Sequence, residues 1–178
     1  VIVNYPYIKV QFESRIDYVY ENDIWRFKWW GHRWKCINDK ETELLRKNNV
    51  RVSHCPSSNL KLGSGIANIP KYLKKGISVS LGADGAPCNN NLSIFNEMRL
   101  AALIQKPIHG STIMNAKTVF KLTTIDGAKA LHLQSEVGSI EVGRKADLVL
   151  LDLNTNNHSF SESDESIYSD IVYSSSSD

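Results

Sequence analysis

The middle of the chain alternates between stretches with helical apolar spacing and short apolar runs. The helical spacing occurs at residues 40–47, 69–74, 93–105, 116–122 and 125–131. The short apolar runs predict strands at residues 50–53 and 77–81. Strands that alternate with helices pair in parallel through right-handed crossovers, so the pattern predicts an α/β fold. Two such strands leave open sheet edges, and we therefore expect this region to be part of a larger sheet, such as an eight-stranded barrel.

Capping residues support the first helices of this series. Asn38 or Asp39 can cap the first helix, and Gly76 is a natural left-handed end for the second. Ser93 is placed to cap the third helix, with Glu97 in its first turn. These signals predict where the helices begin and end.

The two ends of the chain differ in character from the middle. Residues 1–31 are rich in aromatic side chains, and alternation at residues 1–10 predicts a strand. Residues 135–178 begin with a turn-rich connector, continue with an apolar run at residues 146–153 that predicts a strand, and end in a polar, serine-rich tail. We therefore expect three parts: an N-terminal segment at residues 1–31 whose pattern does not match the rest, a main region at residues 32–134 and a separate C-terminal segment at residues 135–178.

Composition narrows the class of protein without identifying it. Apolar residues make up 42% of the 178 and charged residues 22%, as is usual for soluble globular domains. No apolar run reaches the roughly 18 residues that a membrane helix needs, and we expect no membrane partner. The basic residues are scattered rather than clustered, so we expect no nucleic-acid partner. The three cysteines form no CxxC pair, which favours free thiols and a cytoplasmic location.

Asp84 is the clearest candidate for chemistry. It stands in the sequence Gly82-Ala83-Asp84-Gly85, directly after the second predicted strand. In a barrel of alternating strands and helices, functional groups lie at the carboxyl ends of strands, and flanking glycines leave room for a ligand or metal. Alternatively, Asp84 caps a turn through its own backbone.

His54 occupies the equivalent place at the end of the first predicted strand. It is followed by residues 55–65, whose glycines and serines predict a loop. His54 is either a site residue or a histidine hydrogen-bonded within this loop, and Asn59 either orients a substrate or stabilises the turn. His32, just before the first clear helix, is a third candidate, because a strand that ended there would place it at the same face.

Several other mechanisms have no support in the sequence. It contains no GxSxG nucleophile elbow, no Walker loop and no HExxH zinc motif. The glycines at residues 63–65 are too few for a dinucleotide fingerprint, and no cysteine has the partners of a nucleophile. His109 and His132 lie on or next to predicted helices, where surface or packing roles are expected.

The residues around His54 and Asp84 resemble the branch of the amidohydrolase superfamily that contains methylthioadenosine and S-adenosylhomocysteine deaminases and atrazine chlorohydrolase-like enzymes. The resemblance is carried by the segment VSHCPSSNLKLGSGIANIPKYLKKGISVSLGADGAPCNNNLSIFNEMRLAALIQKPIHG and by the later TTIDGAKALHLQSEVGSIEVGRKADLVLLD. It covers about residues 38–153 and continues more weakly to Tyr173. It implies the C-terminal portion of a metal-dependent hydrolase (β/α)8 TIM barrel, with the start of the return to a small β-sandwich domain.

The resemblance also implies an activity, the hydrolysis of carbon–nitrogen bonds other than peptide bonds, with a small heterocyclic substrate such as an aminopurine nucleoside that is deaminated. In the family, one divalent metal ion, expected to be zinc, lowers the pKa of a bound water to about 7. Asp84 matches the aspartate that binds the metal and accepts the water's proton. His32 lies near the expected position of a histidine that contacts the water or substrate, and His54 and Asn59 are expected at the substrate.

The other metal ligands of the family are not in this sequence. It has neither the His-x-His pair of the family's first strand nor the fifth-strand histidine with its following glutamate. A catalytic metal needs three or more protein ligands, so two alternatives stay open. The chain is an inactive fragment or pseudogene product, or it is one half of a split barrel completed by a companion N-terminal chain. A homo-oligomer is also compatible with open sheet edges.

Overall fold

The computed structural model describes residues 16–21, 24–29, 37–153 and 163–176. Along the chain, the elements are β1 (Ile16–Glu21), β2 (Ile24–Trp29), α1 (Asp39–Lys47), β3 (Val52–His54), α2 (Pro56–Lys61), α3 (Ile69–Lys74), β4 (Val79–Leu81), α4 (Ile94–Leu103), α5 (Lys106–His109), α6 (Ala116–Thr123), α7 (Ile125–Ala130) and α8 (Asp164–Ser169). A π-helical turn, Asp170–Ser174, directly follows α8. Within these ranges no helix has the length and apolarity of a membrane span. The described chain is mixed α/β, as the sequence pattern predicts.

β1 and β2 form an antiparallel pair, in which Ile16 lies opposite Trp29 and Glu21 opposite Ile24. The strand predicted at residues 1–10 lies outside the described residues. Antiparallel neighbours need no crossover helix, whereas the following strands are separated by helices. The β1–β2 pair therefore differs in architecture from the region that follows it.

β3 and β4 pair in parallel, with Val52 opposite Val79 and His54 opposite Leu81. The parallel pairing predicted from the alternation of strands and helices is confirmed, and α2 and α3 lie in the connection between the two strands. The two carboxyl ends consequently lie side by side at one edge. The loops that follow them are the places where functional groups are expected.

Both strands are shorter than predicted, because the residues before them complete the preceding helices. The N–H of Val50 donates to the carbonyl of Leu45 at 2.9 Å, and the N–H of Ile77 donates to the carbonyl of Tyr72 at 3.0 Å. Gly76 ends the α3 region with a φ of 73°, the left-handed conformation that favours glycine. The first residues of the two predicted strands therefore belong to the hydrogen-bonded ends of the preceding helices.

The predicted cap of α1 is confirmed, and that of α4 differs from the prediction. The side chain of Asn38 accepts the N–H of Glu41 at 2.8 Å, and the side chain of Glu41 accepts the N–H of Asn38 at 2.7 Å, which is a capping box. Ser93 occupies the N-cap of α4, but its side chain makes no capping hydrogen bond. α4 ends at Leu103, earlier than predicted, and the short α5 begins with Pro107 in its first turn.

The apolar core lies between the parallel strands and the helices around them. Its deeply buried side chains include those of Leu45, Ile69, Val79, Ala101, Val119 and Leu122. Full burial of each large aliphatic side chain contributes about 1.5–3 kcal/mol to stability. The core therefore fixes β3 and β4, and with them the positions of the loops at their carboxyl ends.

Residues 146–153 form no strand in the structure, contrary to the prediction. The side chain of Val149 is 81% exposed and that of Leu150 is 99% exposed. An isolated strand cannot satisfy its backbone hydrogen bonds, and the described sheets contain no strand paired with this stretch. The apolar run is present, but the partner that would make it a strand is not among the described residues.

The chain between residues 163 and 174 is helical, where the sequence predicted only a polar tail. Ile171 and Val172 in the π-helical turn are buried, and the turn packs on α4 while α8 packs on α6. The ring of Tyr168 lies 5.3 Å from that of Phe120, centroid to centroid. These few apolar side chains attach the end of the chain to the same core as the parallel strands.

Candidate functional site

Asp84 lies in the loop that follows β4, as predicted, and its side chain is held by two hydrogen bonds. The hydroxyl of Ser58 donates to Oδ2 at 2.6 Å, and the N–H of Gly85 donates to Oδ1 at 2.7 Å. The backbone of Asp84 has a φ of 64°, a left-handed conformation that aspartate tolerates better than most residues. The Gly85 contact is of the local kind that the turn-capping alternative predicts, whereas the Ser58 contact joins this loop to the segment that follows β3.

The carboxylate of Asp84 is the favoured form at neutral pH. The Ser58 hydroxyl is the main cause that lowers the pKa of this carboxyl, burial acts in the opposite direction, and the Gly85 N–H adds to the lowering. The residue itself is exposed. Asp84 is therefore an accessible anion, able to accept a proton or bind a cation.

Ser58 belongs to α2, a helix that the sequence analysis missed. Residues 55–65 were predicted to be a loop, yet the chain is helical from Pro56 to Lys61. Proline is well suited to the first helical turn, where its missing N–H costs nothing, and Gly63 follows the end of the helix with a φ of 63°. The position of Pro56 was the signal that could have predicted α2, and with it the placement of Ser58.

Gly82 allows the two strand ends to approach each other. Its N–H donates to the carbonyl of His54 at 3.0 Å. A Cβ at Gly82 would lie 2.6 Å from Oγ of Ser53 and 3.3 Å from Sγ of Cys55. This glycine is therefore explained by close packing against β3, and not only by the room that it leaves for a ligand.

The loop that carries Asp84 is attached to the helices on both sides. Lys61 at the end of α2 donates from Nζ to the carbonyl of Pro87 at 2.7 Å and to Oδ1 of Asn90 at 2.5 Å. On the other side, Nδ2 of Asn89 within the loop donates to Oε1 of Glu97 in α4 at 2.7 Å and to the carbonyl of Ala83 at 2.8 Å. The backbone next to Asp84 is thus held by side chains rather than by a ladder of strands.

Glu97 is a buried carboxylate that links these parts. Its side chain is fully buried, its Oε1 accepts from Nδ2 of Asn89 at 2.7 Å, and its Oε2 accepts from the N–H of Ser57 at 3.1 Å. The sequence predicted Glu97 in the first turn of the third helix, which Ser93 was expected to cap. It is in that turn, but its partners lie on α2 and on the loop that follows β4.

His54 ends β3 as predicted, and its ring is enclosed. It is 2% exposed, and neither ring nitrogen has a hydrogen-bond partner among the described residues. Burial lowers the pKa of His54 to about 4, so the imidazole is neutral at neutral pH. The alternative of a histidine hydrogen-bonded within the loop is wrong for the described structure. A role of His54 at a substrate stays a prediction.

Asn59 lies in α2, where its backbone organises the end of the helix. Its carbonyl accepts the N–H of Ser64 at 2.8 Å, and its N–H donates to the carbonyl of Cys55 at 3.1 Å. These contacts fit the predicted alternative of a residue that stabilises the turn, while a substrate-binding role stays a prediction. His32 lies outside the described residues, so its predicted role stays a prediction as well.

The described residues do not form a complete metal site. Within the part of the chain that the structure describes, no three His, Cys, Asp or Glu side chains lie together in a way that could hold a metal ion. A catalytic zinc is usually held by three protein ligands with one position open. Asp84 provides a single carboxylate, and the neutral ring of His54 is enclosed in the fold. The described residues alone therefore do not fit a zinc ion.

Comparison with known proteins gives a consistent result across sequence and structure. A family model described as the amidohydrolase family matches residues 28–177. A 5-methylthioadenosine/S-adenosylhomocysteine deaminase from Acetivibrio thermocellus is 50% identical over 119 residues, which are 66% of this chain and 28% of that protein. The chain thus spans less than a third of the length of this relative.

Two solved structures are similar to the fold described above. A zinc-bound adenosine deaminase from Xanthomonas campestris superposes with a TM-score of 0.68 at 34% identity, over 77% of this chain and 31% of that one. A mutant of the atrazine chlorohydrolase TrzN from Arthrobacter aurescens, in complex with zinc and atraton, has a TM-score of 0.68 at 25% identity, over 77% of this chain and 30% of that one.

Proposed function

Because this chain belongs to the amidohydrolase family, we propose that it forms the C-terminal part of a hydrolase that cleaves carbon–nitrogen bonds other than peptide bonds. The proposed reaction is deamination of an aminopurine nucleoside or a related heterocycle. The observation that carries the proposal is the ionised Asp84 at the carboxyl end of a parallel strand pair. Parallel strands with helical connections also support the proposal that the region is the end of a (β/α)8 barrel followed by the return to a small β-sandwich.

Asp84 is proposed as the proton acceptor of this reaction. Its oxygens accept the Ser58 hydroxyl and the Gly85 N–H, and a carboxylate has further lone pairs that can accept from a water molecule. Asp84 takes a proton from the water whose oxygen bonds to the ring carbon that carries the amino group. When the carbon–nitrogen bond breaks, that proton goes to the nitrogen, and ammonia leaves. The lowered pKa of Asp84 keeps it in the basic form that the first transfer needs.

His32, His54 and Asn59 complete the proposed set of site residues. His32 is proposed to contact the water or the substrate, and His54 and Asn59 to lie at the substrate. Because burial keeps the ring of His54 neutral, it would act at the substrate as a neutral hydrogen-bonding group and not as a cation. A metal ion of the kind bound in the zinc-containing relatives would need ligands beyond the described residues, because these provide one carboxylate.

A second candidate function is favoured by the same incomplete ligand set. The chain matches less than a third of its deaminase relative, and its described residues hold no cluster of three metal-binding side chains. The remaining ligands must then come from sequence outside the described residues, and as the second candidate we propose one half of a split barrel, in which a companion N-terminal chain supplies them. An inactive fragment makes the same prediction for the isolated chain but not for a reconstituted pair.

A reconstitution assay tests the proposal. The full chain would be assayed with zinc, alone and together with a polypeptide that comprises the portion of the Acetivibrio thermocellus relative preceding the matched region. Ammonia release from methylthioadenosine, S-adenosylhomocysteine and adenosine would be measured. We expect turnover in the mixture, and a loss of about 100-fold or more in Asp84→Asn, because the amide cannot accept the proton.

The matched control is Asp147→Asn, which removes an exposed carboxylate and is expected to leave turnover unchanged. Turnover by the chain alone would favour the complete-enzyme form of the proposal over the split barrel. Turnover in neither sample would argue for the inactive fragment. An Asp84→Asn variant as active as the starting protein would contradict the role of this carboxylate.

A further inference from the structure

A buried hydrogen-bond network lies behind Asp84 and reaches it from two directions. Glu97 accepts from the N–H of Ser57, and the next residue, Ser58, donates its hydroxyl to Asp84 at 2.6 Å. Glu97 also accepts from Asn89, whose same Nδ2 donates to the carbonyl of Ala83, the residue before Asp84. One carboxylate on α4 is therefore tied to both sides of the candidate catalytic group.

The residues of this network are buried, so the network belongs to the interior of the fold and is not a surface contact. Glu97 is 0% exposed, Asn89 4% and Ser58 2%. A buried carboxylate is costly unless its oxygens are hydrogen-bonded, and the two donors to Glu97 come from α2 and from the loop that follows β4. A contact that only stabilised α4 would not need partners on these two other parts of the fold.

We infer that Glu97 is a positioning residue for Asp84, acting through Ser57 on one side and through Asn89 and the Ala83 carbonyl on the other. This inference rests on the proposed function for its catalytic meaning, but the positioning itself is measurable without turnover. Glu97 touches neither Asp84 nor a reacting atom. It fixes the backbone on each side so that the Ser58 hydroxyl and the Asp84 carboxylate remain in contact.

The variant Glu97→Gln tests the link with almost no change in volume. A carboxamide offers one acceptor oxygen where Glu97 meets two donors, so its amino group must face either the Asn89 Nδ2 or the Ser57 N–H. One of the two links is lost in either orientation. We expect amide exchange at Ser57 or the Gly85 amide shift, which reports its bond to Asp84, to change clearly in NMR spectra of the full chain.

The double variant Asn89→Asp with Glu97→Gln separates positioning from stability. The new carboxamide at position 97 can donate to the new carboxylate at position 89 while its oxygen accepts from the Ser57 N–H, so the buried pair is restored with donor and acceptor exchanged. The carboxylate at position 89 has no N–H for the Ala83 carbonyl, and that link stays broken. We therefore expect the melting temperature to recover towards that of the starting protein while the Gly85 amide signal does not.

In the reconstituted enzyme, the same double variant is expected to keep KM within about twofold and to lower kcat about tenfold, since a small misplacement of a reacting group costs rate rather than binding. The control is Glu41→Gln, which alters another buried glutamate, in the capping box of α1, and should not move the Gly85 signal.

Two results would overturn the inference. One is a Glu97→Gln variant in which both the amide exchange at Ser57 and the Gly85 amide signal match those of Glu41→Gln. The other is full recovery of the Gly85 signal in the double variant, which would leave Glu97 a purely structural residue. Absence of turnover in every sample would instead contradict the proposed function, and the NMR comparison would still decide the positioning role.

Discussion

Neither residues 82–91 nor residues 146–150 form a helix or strand, but the two stretches differ in how they are attached to the rest of the protein. The first stretch is attached by side chains from α2 and α4, through Lys61 and Glu97. The second stretch carries a run of apolar side chains that face solvent, with Leu150 99% exposed. The stretch with the polar sequence is the better attached one, although the apolar stretch has the stronger pattern for regular structure.

The difference shows what orders a segment without backbone ladders. In residues 82–91, buried polar side chains replace the missing ladder and satisfy the backbone at defined points, as Asn89 does for Ala83. In residues 146–150, a short apolar run has the pattern of a strand, but no described strand lies beside it. An apolar pattern thus indicates which regular structure a segment favours. The segment forms that structure only where another part of the protein packs or hydrogen-bonds with it.

The largest expected effect on stability comes from Gly138, where the chain leaves the folded helices towards the second stretch. Its φ is 100°, and a Cβ there would lie 2.8 Å from Cβ of Ala128 and 3.1 Å from Cα of Ile125. Gly138→Ala therefore combines a strained backbone with overpacking against α7. We expect it to lower the free energy of unfolding, measured in urea, by about 3 kcal/mol.

Gly143→Ala is the matched control for this variant. Gly143 also has a positive φ, 89°, but nothing lies within 4 Å of the position of its Cβ. We expect a loss of only about 1 kcal/mol, from backbone strain alone. Equal losses in the two variants would mean that the residues around Gly138 are not packed against α7.

The next largest effect is a dependence of stability on pH, and it comes from His54, which is bonded to the first residue of the stretch 82–91. His54 accepts the N–H of Gly82 through its carbonyl, and burial lowers the pKa of its ring from 6.5 to about 4. As the pH falls below 6.5, the unfolded chain binds a proton that the folded chain does not. Stability is therefore lost between pH 6.5 and about pH 4, and this contribution becomes constant below that range.

Between pH 7 and pH 5 this shift corresponds to about 2 kcal/mol of unfolding free energy. Urea unfolding at the two pH values would measure it, with His54→Leu as the variant that removes the titrating ring. The control is His132→Gln, which changes an exposed histidine and should keep the dependence. If the starting protein and His54→Leu lost the same stability on acidification, the enclosed neutral ring would not be its source.

The parts predicted from the sequence are those decided by local chemistry. The capping residue Asn38, the left-handed Gly76 and the apolar spacing of residues 116–122 act within a few positions, and the helices that they predict are present. The parallel pairing of β3 and β4 also follows, because short strands separated by helices have few other arrangements. The position of Asp84 after β4 comes from the same reasoning.

The parts that were missed depend on contacts between distant positions. Glu97 in a first helical turn has the pattern of a capping residue, and only the fold brings Asn89 and Ser57 to it. The helix that begins at Pro56 was not predicted, because the serines and glycines of residues 55–65 are typical of a loop. A proline at the first helical position was too weak a signal against that composition. Residues 146–153 have a strand pattern, but the described chain gives them no neighbouring strand.

The smallest expected effect is at Leu150, and it tests directly whether residues 146–150 lack a packing partner. A side chain that is 99% exposed buries no apolar surface in the folded chain, so Leu150→Ser should change the unfolding free energy by less than about 0.5 kcal/mol. Leu122→Ala, at a position 1% exposed, should cost about 3 kcal/mol in the same urea experiment. A loss above about 1 kcal/mol in Leu150→Ser would mean that residues 146–150 pack on a partner in solution. Sedimentation velocity would then identify a second copy of the chain as that partner, if the same variant also reduced self-association.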